Sequence, residues 1–243
     1  EWHADVDAKL RALTEAGHPL IDVRLDDASW VAAEFFRWEF ATAVAGIGLG
    51  VNPFDEPNVT ESKNNTRDVL EAYAAEGRLP ETEPTAARGP LRAWKQGGGE
   101  MDFVELLREH LASVPQHGYF QVGAYIAPTD ARTEQLQSLQ ARLRDGTRKA
   151  STLGYGPRFL HSTGQLHKGG APIGCFIQLT NGHAADLDIP GRDESFGVLV
   201  DAQAMGDFAA FGAHELPAIR IDLGDDADAG LTELLAAVDE ALA

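Results

Sequence analysis

The side chains best placed for chemistry stand in two stretches, Val51 to Lys63 and Gly154 to Gly170. In the first, Asp55 is a good N-cap and Pro57 suits a first turn, which predicts a helix from Glu56 to about Glu76. Glu56 and Lys63 then emerge on one face, two turns apart, with Thr60 between them. A lysine so near a helix N-terminus feels the positive end of the dipole, which favours anions beside it and suits a phosphorylated substrate. In the second stretch, Arg158, His161, Ser162, Thr163, Gln165, His167 and Lys168 supply donors for a phosphate or for sugar hydroxyls. The interspersed glycines would let backbone approach a ligand, and an elaborate hydrogen-bonded turn is the competing reading. His161 and His167 titrate near neutrality and could serve as general acids. Their H-x5-H spacing has no cysteine or acidic partner in a familiar metal-ligand arrangement, and no nucleotide-binding glycine fingerprint occurs in the loop.

The elements that must hold these stretches follow from periodicity. Glu1 to Ala16 is an amphipathic helix through Val6, Leu10 and Leu13, and Pro19 to Leu25 alternates as a short strand. The helix from about Ser29 to Gly48 is apolar nearly all round, with Trp30, Phe35, Phe36, Trp38 and Phe40, so it is expected inside the fold, with Glu34 and Arg37 as an i,i+3 pair. Residues 77–100 are rich in proline and glycine and read as a linker. Beyond it come a helix from Met101 to Ser113, a strand Tyr119 to Ile126, a helix Asp130 to Arg144 and a strand Ser151 to Leu153. The loop Gly154 to Gly170 follows, then a strand Ile173 to Leu179, a helix Ser195 to Phe211, a strand Ala218 to Leu223 and a helix Leu231 to Leu242. Strands alternating with helices predict an α/β fold, a mostly parallel sheet flanked by helices on both faces. In an open sheet of this kind ligands sit at the carboxyl ends of strands, which is where the Gly154 loop falls.

Composition narrows the partners. A net charge of −18 argues against nucleic acid and anionic membrane, since both need a basic surface. The lone cysteine, Cys175, allows no intrachain disulfide, and its apolar neighbours suggest a buried, reduced thiol in a cytoplasmic protein. No apolar run is long enough to span a membrane, and with no basic-then-apolar leader pattern read before the first helix an untargeted protein is expected. The first residue is Glu1 rather than methionine, and a helix-then-strand opening implies a preceding strand, so a piece of a longer protein is expected.

Leu49-Gly-Val-Asn-Pro-Phe-Asp-Glu-Pro-Asn-Val-Thr-Glu-Ser-Lys63 resembles the C-terminal signature of glucose-6-phosphate isomerases, G-V-N-P-F-D-Q-P-G-V-E-x-x-K. Ala33 to Gly46, Gly154 to Gly170 and the later run from Asp188-Ile-Pro-Gly191 through Gln203-Ala-Met-Gly-Asp207 are similar to the isomerase half of bacterial transaldolase/phosphoglucose isomerase fusion proteins. The resemblance implies a sugar-isomerase (SIS) type, Rossmann-like three-layer fold. It makes residues 1–76 the end of an SIS domain and 101–243 a further α/β unit. It also implies aldose–ketose interconversion of glucose 6-phosphate and fructose 6-phosphate through an enediolate, with no cofactor, in cytoplasmic glycolysis and gluconeogenesis. Partners would be the sugar phosphate, N-terminal isomerase or transaldolase domains and, in a homodimer, a second copy. Lys63 falls on the family's active-site lysine and Glu56 on its site glutamine. Glu56, Asn58 and Thr60 depart from the signature's glutamine, glycine and glutamate, and an ionised carboxylate at 56 accepts hydrogen bonds without donating them. The family's proton-shuttling glutamate and first phosphate loop have no counterpart in these residues, which makes the chain an incomplete, inactive part of the enzyme. A non-catalytic sugar-phosphate-binding or regulatory module and a purely structural oligomerisation region are the alternatives.

Overall fold

The computed structural model describes residues 2–55, 57–80, 82–183 and 185–243. The chain divides into two compact units, Glu1–Asp55 and Glu56–Ala243. Among the described residues no helix is long and apolar enough to cross a membrane.

In the first unit, helix α1 (Trp2–Glu15) gives way at Gly17, whose φ of +85° lies in the left-handed region that glycine tolerates best. The strand expected over Pro19 to Leu25 does not form. A lone extended segment leaves its backbone groups without a ladder, and none of the described residues of this unit forms a neighbouring strand to supply one. A short 3-10 turn, capped by the Asp27 carboxylate accepting from Ser29 N at 2.6 Å, leads into α2 (Val31–Leu49). The expected pair forms, with Arg37 and Glu34 2.7 Å apart. The expectation that α2 is buried is corrected: Phe35, Phe36, Trp38 and Phe40 are each more than 60% exposed. The apolar circumference of α2 is real, but these 55 residues contain too little other structure to cover it.

The second unit is built on a six-stranded sheet in the order β1-β2-β6-β5-β3-β4. Strands β3 (Tyr119–Tyr125), β4 (Ala150–Tyr155), β5 (Gly174–Thr180) and β6 (Ala218–Asp222) are mutually parallel. Helices α5 (Asp130–Thr147), α6 (Leu160–Gly169) and α7 (Phe196–Ala213) link them in turn, and α8 (Ala227–Leu242) follows β6. The chain moves outward from β3 to β4, then crosses back to β5 and β6, so the winding direction reverses between β3 and β5. The anticipated fold class, α/β with a mostly parallel sheet, is the one observed.

Residues 77–100 do not merely connect. Ala86–Arg88 (β1) and Leu91–Lys95 (β2) form a hairpin turned at Gly89-Pro90, and β2 adds antiparallel to β6. Leu91 and Ala93 are fully buried while Arg92 is exposed, a period of two obscured by the surrounding prolines and glycines. Helix α4 (Phe103–Ala112), capped by Asp102, joins α5 and α8 on one face of the sheet. There Leu106, Leu107, Leu139, Leu143 and Leu234 meet Phe120, Val122, Ile177, Leu179, Ile219 and Ile221. The other face carries a smaller cluster of Phe176, Phe211, Leu216 and Ala218.

Helix α3 (Pro57–Glu76) packs against α6 and α7 on that second side. It lies close to α7 at Gly206, where an added Cβ would stand 2.9 Å from Thr66 N and 2.7 Å from its Oγ1. Because backbone cannot yield as a side-chain tip does, Gly206→Ala is expected to cost about 1–3 kcal/mol, the range for overpacking. Chemical denaturation of the variant measures it, and an unchanged midpoint would mean that α3 is free to shift.

Candidate functional site

Helix α3 is fixed at its N-terminal end by polar contacts. Asn58 N donates to Gln165 Oε1 at 3.1 Å, and Gln165 Nε2 donates to Asn58 Oδ1 at 2.7 Å. His214 Nε2 lies 2.7 Å from Glu61 Oε2 and 3.0 Å from Asn58 Nδ2. Gln165 therefore satisfies one of the helix's orphan N–H groups, a structural task that its side-chain amide suits.

With α3 so held, a cavity of about 150 Å³ lies between it, α6 and α7, with Lys63, Thr66, His161, Lys168, Gln203 and Asp207 in its wall. Lys63 and His161 are exposed, whereas Lys168 and Asp207 are buried, so the cavity runs inward from a cationic rim. At its inner end Lys168 Nζ sits 2.5 Å from Asp207 Oδ1 and 2.5 Å from Ser62 Oγ. Tyr125 OH donates to Asp207 Oδ2 at 2.5 Å. Burial, reinforced by the Asp207 charge, raises the Tyr125 phenol well above its ordinary range, so it remains a donor. The Lys168 ammonium also lies 5.6 Å from the centroid of Phe211. Paired this way, the ion pair is committed, and among the described residues lining the cavity the exposed ammonium of Lys63 is the cation left to meet a ligand.

The stretch read as a loop is mostly helix. After β4, a turn through Gly156 and Pro157 starts α6 at Leu160. Gly154 and Gly156 are needed because an added Cβ would meet the rings of Phe159 at 2.5 Å and Tyr125 at 2.6 Å, so their role is close packing within the protein. Of the anticipated donors, His161, Lys63 and the ion-paired Lys168 share the cavity wall. Arg158 is exposed and does not line it. Ser162 and Thr163 donate to the Phe159 carbonyl at 3.1 and 3.0 Å, as hydroxyls in helices commonly do. Glu56 lies outside the described residues.

His167 is turned the other way. It is buried, its Nδ1 is 2.6 Å from Tyr119 OH, and its ring contacts Phe176 edge-on at 5.9 Å between centroids. Burial, then the charge of Lys168, lowers its pKa to about 4, so it is neutral at pH 7. Because the folded pKa lies below the ordinary 6.5, the unfolded chain takes up this proton first, and stability falls as pH drops from about 6.5 towards 4. The expected loss from this group is about 1.4 kcal/mol per pH unit. Denaturation midpoints of the wild type and His167→Phe across that window test it, the variant showing the shallower slope.

Sequence reasoning missed Asp207 and Tyr125 as parts of this site. The available signal was an aspartate flanked by small and apolar residues in a largely apolar helix, since a buried carboxylate requires a cationic partner.

No family model matches the chain. Part of it is similar to the glucose-6-phosphate isomerase of Rubrobacter xylanophilus, at 40% identity over 78 residues, 31% of this chain and 17% of that enzyme. A second similarity, at 35% identity over 74 residues, is to the glucose-6-phosphate isomerase of Leptospira biflexa serovar Patoc, covering 30% of this chain and 16% of that one. Among solved structures, a hypothetical protein from Thermus thermophilus is similar with a TM-score of 0.46 and 15% identity, over 57% of this chain and 37% of that one. The matched stretches thus span less than a fifth of the curated isomerases, and a related sequence segment is what this chain has in common with them.

Proposed function

We propose that these residues are part of a glucose-6-phosphate isomerase, one that interconverts glucose 6-phosphate and fructose 6-phosphate through an enediolate. The observation that carries this reading is Lys63, which stands beside His161 on the rim of a cavity whose inner cation, Lys168, is already neutralised by Asp207. Aldose–ketose isomerisation needs charge stabilisation where oxygens become anionic as the ring opens and the enediolate forms. An ammonium on the second turn of α3 supplies it, and His161 stands on the same rim as a candidate proton donor to the ring oxygen. The base that moves the proton between C1 and C2, and the main phosphate site, are assigned in this reading to the rest of the natural protein.

Two measurements test it. Fructose 6-phosphate added to the 243-residue chain should shift the amide resonances of Lys63 and His161, with no turnover by the chain alone. The whole natural protein should convert fructose 6-phosphate to glucose 6-phosphate. Absence of that conversion sinks the reading, whatever the chain binds.

A further inference from the structure

A separate cavity of about 740 Å³ opens at the carboxyl ends of β5 and β6, against the start of β2. It shares no lining residue with the cavity at Lys63. Trp94 opposes Arg220, and Arg92 opposes Asp222, across the β2–β6 ladder. All four project to the face opposite buried Leu91, Ala93, Ile219 and Ile221, and so onto the α7 side of the sheet.

Arg220 is the unusual member. Its guanidinium carbon lies 4.3 Å from the Trp94 ring centroid and 5.7 Å from that of Phe208, so two aromatic rings hold the planar group in place. Elsewhere in this unit the partly buried arginines are satisfied: Arg88 by Glu233 and Glu240, Arg132 by Asp228, Arg142 by Asp239. Arg220 has no side-chain hydrogen bond or ion pair to any described residue. Burial disfavours its charge, and the more distant Asp222 and Asp201 offset this only in part. A positioned guanidinium with unused donors in a cavity is a ready fork for an oxyanion.

The carboxylates of the same cavity, Asp201, Asp222 and Asp225 with the exposed Glu83 at its edge, define the rest of the ligand. Asp222 is committed to Thr180 Oγ1 and Gly224 N, both at 2.9 Å. Asp201, bonded to His183 at 3.0 Å, and Asp225 still have acceptor capacity. A bare anion would gain at Arg220 and lose near these two, whereas a molecule that also carries hydroxyl donors satisfies both. Arg92 uses one nitrogen on the Gly89 and Leu91 carbonyls and keeps the others.

We propose that this cavity binds a hydroxyl-bearing oxyanion of the sugar phosphate class. Arg220 and Arg92 grip the anionic group, and Asp201 and Asp225 accept from hydroxyls. The site is distinct from the one at Lys63 and does not depend on the isomerase reading.

The indole N–H of Trp94, which donates to the Thr82 carbonyl at 2.9 Å, is a built-in reporter. Its resonance is followed while the 243-residue chain is titrated with fructose 6-phosphate, inorganic phosphate and fructose in turn. Fructose 6-phosphate should move it saturably and bind more tightly than either half alone. Arg220→Met should weaken this binding roughly 10- to 100-fold, as loss of charged hydrogen bonds does, with Lys63→Ala leaving it unchanged. Should Arg220→Met not fold, Arg220→Lys and Asp201→Asn replace it, each weakening the same titration. An unmoved Trp94 signal, equal binding by inorganic phosphate, or wild-type affinity in the arginine variant would overturn the proposal.

Discussion

Asp207→Ala is expected to destabilise the protein by about 3–5 kcal/mol, because it strands the Lys168 ammonium in a buried site. Side-chain exposures of 2% for Lys168 and 8% for Asp207 leave little access to water, and Ser62 Oγ is the only other polar group bonded to the amine among the described residues. Tyr125 OH would lose its acceptor at the same time. Lys168→Met should cost a similar amount by leaving the carboxylate with the phenol alone. The double variant Lys168→Met, Asp207→Leu separates the two contributions to these losses. If the damage comes from uncompensated charge, the double variant recovers most of the loss despite having no ion pair, since apolar replacements of buried pairs are often neutral or better. Denaturant midpoints of the four proteins measure this. A double variant as unstable as the sum of the singles would show that the pair's geometry, and not the stranded charge, is what holds α6 to α7.

That network also shows how far the sequence could be read. The parallel strands were legible because both sheet faces are covered and each strand runs as a short β-rich segment: Tyr119 to Tyr125, Gly174 to Thr180 and Ala218 to Asp222 stand within a residue or two of expectation. Helix α6 was not. Its buried face is Leu160, Gly164, His167 and Lys168, an i, i+4, i+7, i+8 set in which only one member is aliphatic. Periodicity in hydrophobicity is silent where a helix buries a glycine against a neighbour and two basic side chains against partners. The β1–β2 hairpin was hidden for a related reason, since two strands of three and five residues sit among prolines and glycines that usually mark irregular chain. Site chemistry was legible only in part. Lys63 and His161 do share a wall, but which of the other polar residues in the stretch faces a ligand depends on helical phase, and that phase could not be assigned to a segment taken for a loop.

On the proposed isomerase reading, Lys63→Ala in the whole natural protein is expected to lower turnover of fructose 6-phosphate roughly 10²–10³-fold, the usual consequence of losing one electrostatic donor to a developing oxyanion. Its stability should change by less than about 0.5 kcal/mol, because the exposed Lys63 side chain at the cavity rim has no ion pair or side-chain hydrogen bond to a described residue to lose. The contrast with Lys168 is the useful one. Both lysines border one cavity, yet one is solvent-facing and the other is locked to Asp207, so the same chemical deletion should separate into loss of rate at 63 and loss of stability at 168. Lys63→Arg adds a further discrimination: it keeps the charge but spreads it over a planar fork, and a partial recovery of turnover would mark charge as the main requirement and the compact ammonium as a secondary one. Rate constants and thermal midpoints of Lys63→Ala, Lys63→Arg and the wild type decide the matter. A wild-type rate in Lys63→Ala, or a fall in stability that accounts for the lost activity, would remove Lys63 from the chemistry and leave the cavity as a packing feature between α3 and α6.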